Sequence, residues 1–125
     1  MSKGRILVVE DNMDTYELVR FILEKNGYDT FLAMNGRDGV NAATKQMPDL
    51  IIMDLAMPEM DGWTATRLIK NDARTKSIPL ITLTAHALPG DRQRAMDSGC
   101  DEYITKPMDL LELVESVDHW LSRVK

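Results

Sequence analysis

Leu50-Ile51-Ile52-Met53-Asp54 is a run of four large apolar residues that stops directly at an acid. A run that short, with no polar alternation, reads as a strand buried on both faces. Three further runs follow the same rule. Ile6-Leu7-Val8-Val9 leads into Glu10-Asp11, Leu80-Ile81-Thr82-Leu83 into Thr84, and Tyr103-Ile104-Thr105 into Lys106-Pro107. If these runs are neighbouring parallel strands, their carboxyl ends share one edge of one sheet. Three carboxylates, a hydroxyl and an ammonium then meet in one crevice.

Helical patterns separate the runs. Residues 13–26 carry Leu18, Val19, Ile22 and Leu23 at helical spacing, and Gly27 suits the position after the helix. Residues 29–33 form a weaker strand, and Asn35 is placed to cap a short helix through Gln46 with Val40, Ala43 and Met47 on its thin apolar face. The spacing predicts a helix over 64–72 with Ala65, Leu68 and Ile69 inward. Pro79 is tolerated at the start of the next strand. Residues 90–98 form a polar helix with little beyond Ala95 and Met96 to bury. After the strand at 102–105, Asp109 opens the last helix, with Glu112 three residues on as an approximate capping box. Its face is Leu110, Leu113, Val114, Val117, Leu121 and Val124. Five strand–helix units in alternation predict a parallel sheet covered by helices on both faces, with ligands at the carboxyl ends of its strands.

Composition narrows the function classes. The chain has 125 residues, 44% of them apolar, which suits one core and one domain spanning 1–125. No apolar stretch nears the ~20 residues of a membrane span, and no secretory segment precedes the first strand. A net charge of −5 argues against a nucleic-acid surface. Cys100 is the single cysteine, so no intrachain disulfide forms, in keeping with a reducing cytoplasm.

Each residue at the crevice also has an ordinary reading. Glu10 and Asp11 fit an acidic helix N-terminus, Asp54 a turn residue before Pro58, Thr84 a strand end and Lys106 a solvated lysine. Their coincidence at one sheet edge favours a shared role. Glu10, Asp11 and Asp54 would repel one another when ionised, and a hard divalent cation with oxygen ligands, Mg²⁺, resolves this. A metal, an ammonium and a hydroxyl around one carboxylate suggest phosphoryl transfer. Asp54 is then the nucleophile and carries an acyl phosphate, Lys106 neutralises charge and Thr84 donates a hydrogen bond.

Val8-Val9-Glu10-Asp11-Asn12, Asp54-Leu55-Ala56-Met57-Pro58-Glu59-Met60-Asp61-Gly62, Leu83-Thr84-Ala85 and Tyr103-Ile104-Thr105-Lys106-Pro107 together resemble the receiver domain of two-component response regulators, of the single-domain, chemotaxis type. The resemblance spans nearly the whole chain, in order. It implies a flavodoxin-like (βα)5 doubly wound sheet of strand order 2-1-3-4-5, a fold whose named examples include a chemotaxis receiver. It makes Asp54 the phosphoacceptor. Asp11 and Asp54 become direct Mg²⁺ ligands, with the backbone carbonyl of Ala56, and Glu10 acts through water. Lys106 contacts the phosphoryl group, Thr84 is the switch hydroxyl and Tyr103 the switch aromatic. The bond between Lys106 and Pro107 is cis in the family. Ala56 and His86 match the variable positions that affect acyl phosphate hydrolysis.

The expected function is therefore a phosphoprotein of a two-component phosphorelay rather than an enzyme. A histidine kinase or histidine phosphotransfer protein phosphorylates Asp54, and the domain assists its own phosphorylation and dephosphorylation. The surface of helix 4, strand 5 and helix 5, with Arg92, Tyr103 and Leu111, then signals to a downstream protein, with no nucleic acid or membrane involved. Nothing follows the last helix, so no effector domain is expected. Two alternatives stand beside this: a receiver excised from a hybrid kinase or longer regulator, and a Mg²⁺-dependent aspartate-nucleophile phosphohydrolase. The latter lacks the second acid two residues after the nucleophile, where Ala56 stands. His86 and His119 read as loop and surface residues rather than ligands, and Met57, Met60 and Met108 as loop packing. Trp63 and Trp120 read as partial packing residues, and Cys100 as a small buried one.

Overall fold

The computed structural model describes residues 2–85, 88–106 and 109–123. Five strands, β1 (Arg5–Val9), β2 (Asp29–Ala33), β3 (Leu50–Met53), β4 (Leu80–Thr84) and β5 (Glu102–Thr105), alternate with five helices. The helices are α1 (Met13–Lys25), α2 (Gly36–Gln46), α3 (Gly62–Asn71), α4 (Asp91–Asp97) and α5 (Leu110–Arg123). The strands form one sheet in the order β2-β1-β3-β4-β5, and every pairing is parallel. This is the flavodoxin-like order that the motifs imply.

The fully apolar strands supply two cores at once, because successive side chains point to opposite faces. Leu7, Val9, Ile51, Met53 and Leu80 face one side, with Ala43 of α2, Ala65 and Ile69 of α3 and Ala95 of α4. Ile6, Val8, Leu50, Ile52, Ile81 and Leu83 face the other, against Tyr16, Val19 and Leu23 of α1 and Leu113, Val114, Val117 and Leu121 of α5. Strand positions inside a sheet covered on both sides are buried whichever way they point, so apolar residues dominate them, with Thr82 an exception, and no alternation marks them in the sequence.

Helix starts follow local capping chemistry. The Asn12 side chain accepts from the Thr15 N–H and that of Asn35 from the Asp38 N–H. Asp61 accepts from the Thr64 N–H at 2.8 Å, which starts α3 at Gly62, two residues before the predicted boundary. Gly90 and Ser98 flank α4 as its caps.

Four predicted inward residues face water instead. Leu18 is 54% exposed and Leu68 46%. Each directly precedes a buried residue, Val19 or Ile69, and so sits about 100° away around its helix. Met47 is displaced by the left-handed turn it makes at the end of α2, with φ 47°, and is exposed. Met96, next to buried Ala95, is also exposed. Cys100 is buried, as expected, and so is Trp63. Val124 lies outside the described residues.

The connection from β3 to α3 is pinned by two glycines. Gly62 donates its N–H to the Leu55 carbonyl at 2.8 Å, and Gly36 donates to the Met60 carbonyl at 3.1 Å. A Cβ on Gly62 would lie 2.0 Å from the Asp54 carbonyl oxygen, and one on Gly36 2.2 Å from that of Met60. Between the anchors, Glu59 (φ 57°) and Met60 (φ 123°) hold positive φ without being glycine. Such backbone is strained for an L side chain and persists only where its surroundings enforce it.

Two outcomes are expected in urea unfolding. Leu23→Ala should lower stability by about 2–5 kcal/mol, and Leu18→Ala by less than about 0.5 kcal/mol; equal losses would contradict the observed facing of α1. Gly62→Ala should lower it by about 1–3 kcal/mol, because the clash is with backbone that cannot step aside.

Candidate functional site

The site is assembled by hydrogen bonds that continue the sheet past its strands. The Glu10 N–H donates to Ala33 O at 2.9 Å, the Asp54 N–H to Val9 O at 3.0 Å and the Lys106 N–H to Thr84 O at 2.8 Å. Each residue following a strand is thereby held against the end of its neighbour. Their side chains converge above β1, β3 and β5.

One ligand oxygen each from Glu10, Asp11 and Asp54 can be chosen so that all three lie within 4.8 Å of one another. Glu10 and Asp54 are buried, whereas Asp11 is exposed. The Lys106 Nζ stands 2.8 Å from Glu10 Oε1 and 3.9 Å from Asp54 Oδ1. Asp54 Oδ1 also accepts from the Leu55 N–H at 2.8 Å. Among the described residues no hydrogen-bond donor reaches Asp54 Oδ2. Glu10 Oε2 accepts from the Asn12 N–H at 3.2 Å.

Burial pushes the Glu10 carboxyl above the usual carboxylate range, and the Asp54 charge adds to the effect. The hydrogen bond and charge of Lys106 oppose it. Three acids facing one ammonium leave an electrostatic deficit that a cation relieves. All the side-chain donors are carboxylate oxygens, and exposed Ala56 stands two residues beyond Asp54 with its peptide carbonyl as a further hard donor. This donor set fits Mg²⁺ and does not fit a soft metal.

Thr84 closes β4 and is fully buried. Tyr103 is 8% exposed, with the Arg92 guanidinium carbon 5.7 Å from its ring centroid. Leu88, Arg92, Tyr103 and Thr105 line a hollow of about 280 Å³ beside it. Leu111 is 67% exposed. His119 is exposed on α5, its ring edge-on to Trp120 at 5.4 Å, away from the acid cluster's strand ends. Met57 and Met60 pack against the core. His86, Pro107 and Met108, and with them the peptide bond expected to be cis, lie outside the described residues.

Glu10, Asp11, Asp54 and Lys106 meet at one edge, as their places after the strands imply, but the supporting backbone was not foreseen. Asn12 serves twice, as cap of α1 and as a donor to Glu10. The glycines that fix the Asp54 loop were also missed; Asp61-Gly62 ahead of a helical pattern was the available signal.

Comparison with known proteins agrees with this geometry. The family model for the response regulator receiver domain matches residues 6–118. The polar-differentiation response regulator DivK of Brucella anthropi is 36% identical over 93% of this chain and 94% of its own length. The receiver domain of a signal transduction histidine kinase from Syntrophus aciditrophicus is 42% identical, with a TM-score of 0.92 over 98% of this chain and 92% of that one. The receiver domain of a sensor histidine kinase from Pseudomonas aeruginosa, with a magnesium ion coordinated in its active-site cleft, is 35% identical. It has a TM-score of 0.89 over 95% of this chain and 98% of its own. With the strand order, the acid cluster at the strand ends and matches of this extent, the chain belongs to the response regulator receiver domain family.

Proposed function

We propose that this receiver takes a phosphoryl group on Asp54 Oδ2 from a histidine kinase or histidine phosphotransfer protein in the cytoplasm. The supporting observation is the geometry around Asp54. A buried carboxylate has one oxygen held by the Leu55 N–H and near Lys106, and the other is unengaged among the described residues. In the transfer, Oδ2 forms a bond to phosphorus as the bond to the donor's imidazole nitrogen breaks. The imidazole leaves with that electron pair. Lys106 moves its ammonium from Glu10 toward the incoming phosphoryl oxygens, and the Thr84 hydroxyl donates to one of them. Asp11, Asp54 and the Ala56 carbonyl would hold Mg²⁺, with Glu10 acting through water. When bound, the ion neutralises the carboxylates and the phosphoryl charge that meets them. The domain thus assists its own phosphorylation and dephosphorylation, and a separate protein supplies the phosphate.

Output follows from the seat of Tyr103. Tyr103 is buried beside Arg92, and a phosphoryl bond to Thr84 need only shift the balance between two arrangements of this ring and α4. The surface of α4, β5 and α5, including Arg92, Tyr103 and Leu111, then binds a downstream protein. Of the α4 side chains only Ala95 is buried, so this helix is easily biased. A hundredfold change in preference takes about 2.7 kcal/mol. The 42% identity with a histidine kinase's receiver supports a second reading, in which the same chemistry serves a module of a larger kinase.

Acetyl phosphate with MgCl₂ should add one phosphoryl mass to the wild type and none to Asp54→Asn. Full labelling of that variant, or labelling undiminished in EDTA, would remove Asp54 or the metal from the scheme. MgCl₂ at about a hundredfold excess over its Kd should stabilise the fold by about 2.7 kcal/mol, read as a raised Tm. Asp11→Asn should shrink that rise. An unchanged melting curve for the wild type would mean that the acid cluster binds no cation.

Lys106→Ala should keep the fold and still accept phosphate, yet lose the amide shift changes at Tyr103 and α4 that beryllofluoride induces in the wild type. An unaltered response would show that Lys106 does not couple the site to that surface.

A further inference from the structure

The face of α1 turned away from the core carries a short pattern that the phosphoacceptor chemistry does not use. Tyr16, Val19 and Leu23 are its buried side. Opposite them, at spacings of four, three and four, stand Asp14, Leu18, Phe21 and Lys25, all exposed. At about 100° per residue these four fall within an arc of about 60°. Leu18 is 54% exposed and Phe21 61%, with the Lys25 ammonium 5.6 Å from the ring centroid.

The stripe reads acid, apolar, apolar, base, and its positions are symmetric about the point between Val19 and Arg20. An antiparallel copy of the same helix therefore sets Leu18 against Phe21 twice and Asp14 against Lys25 twice. Neither Asp14 nor Lys25 has an ion pair among the described residues. The neighbouring charges do: Arg20 reaches Glu17 at 3.6 Å and Glu24 at 3.3 Å, which keeps that flank occupied with itself. A hollow of about 320 Å³ beside Phe21, lined by Glu17, Arg20, Glu24 and Lys25, lies at the level where the partner's Leu18 falls.

We infer that two copies of this chain associate through α1, antiparallel about a two-fold axis between Val19 and Arg20. A self-complementary patch of this kind is what an isologous dimer requires. One helix of 13 residues per copy buries the area of a weak, reversible contact rather than of an obligate dimer. The inference is independent of the proposed phosphoryl transfer.

Sedimentation equilibrium of the full chain from about 10 µM to about 1 mM covers the range of such a contact. The average mass should rise toward twice that of the chain. Phe21→Ser should remain a monomer, and its far-ultraviolet circular dichroism should match the wild type, since the ring is exposed. Because each contact occurs twice, Asp14→Lys or Lys25→Asp alone should weaken association by roughly tenfold or more. Mixing these two variants should restore it, because every facing pair is then of opposite sign. A monomeric wild type throughout, association of Phe21→Ser equal to wild type, or a mixture no tighter than its components would overturn the inference. So would a strictly monomeric chain that uses this stripe to bind its phosphodonor.

Discussion

Three backbone hydrogen bonds beyond the strand ends hold the site together: Glu10 to Ala33, Asp54 to Val9, and Lys106 to Thr84. They belong to the same parallel ladder that builds the sheet, so the spacing of the functional groups is fixed by strand separation rather than by flexible loops. Parallel register does the rest. Val9 pairs with Met53 and with Ala33, so the acids that follow β1 and β3 emerge side by side. Slipping β3 by one residue would exchange its two buried faces and turn the Asp54 side chain from the crevice.

A site built this way concentrates charge where it is expensive. The raised affinity of Glu10 for its proton expresses that tension, and the Lys106 ammonium relieves only part of it. The strained Glu59–Met60 backbone is a separate cost. It is tolerated because Gly62 and Gly36 let neighbouring backbone approach within hydrogen-bonding distance on either side. The energy for both comes from the apolar strands, whose residues are almost entirely withdrawn from water. A stable sheet thus carries an unsettled edge, which is the condition for a ligand to change the edge without unfolding the sheet.

The two outward surfaces have different physical characters. On one side of the sheet, α1 and α5 pack Tyr16, Val19, Leu23, Leu113, Val117 and Leu121 into a continuous core, so the outer stripe of α1 is displayed on a rigid helix. At the far edge, α4 is short and contributes little besides Ala95. A rigid face suits a fixed contact, and a lightly held one suits a contact that changes with the state of the crevice.

The order of elements was legible in the sequence because unbroken apolar runs of four residues have few other homes than a doubly covered parallel strand. The cap at Asn35 was legible for a similar reason: its side chain acts on backbone three residues away. Glu10, Asp11, Asp54, Thr84 and Lys106 were found because each follows or ends a strand, a purely local property. The facing of Leu18 and Leu68 was not legible. Apolar residues adjacent in sequence compete for one buried arc, and only the neighbour they meet decides between them. Nor was the burial of Tyr103 legible, since it depends on how α4 lies against β5. The strained turn at Glu59 and Met60 likewise depends on Gly36, remote in sequence, which donates to the Met60 carbonyl. Local chemistry along the chain determined which groups reach the edge of the sheet. Their distances, burial and balance of charge were decided by tertiary packing, because those quantities arise only between strands.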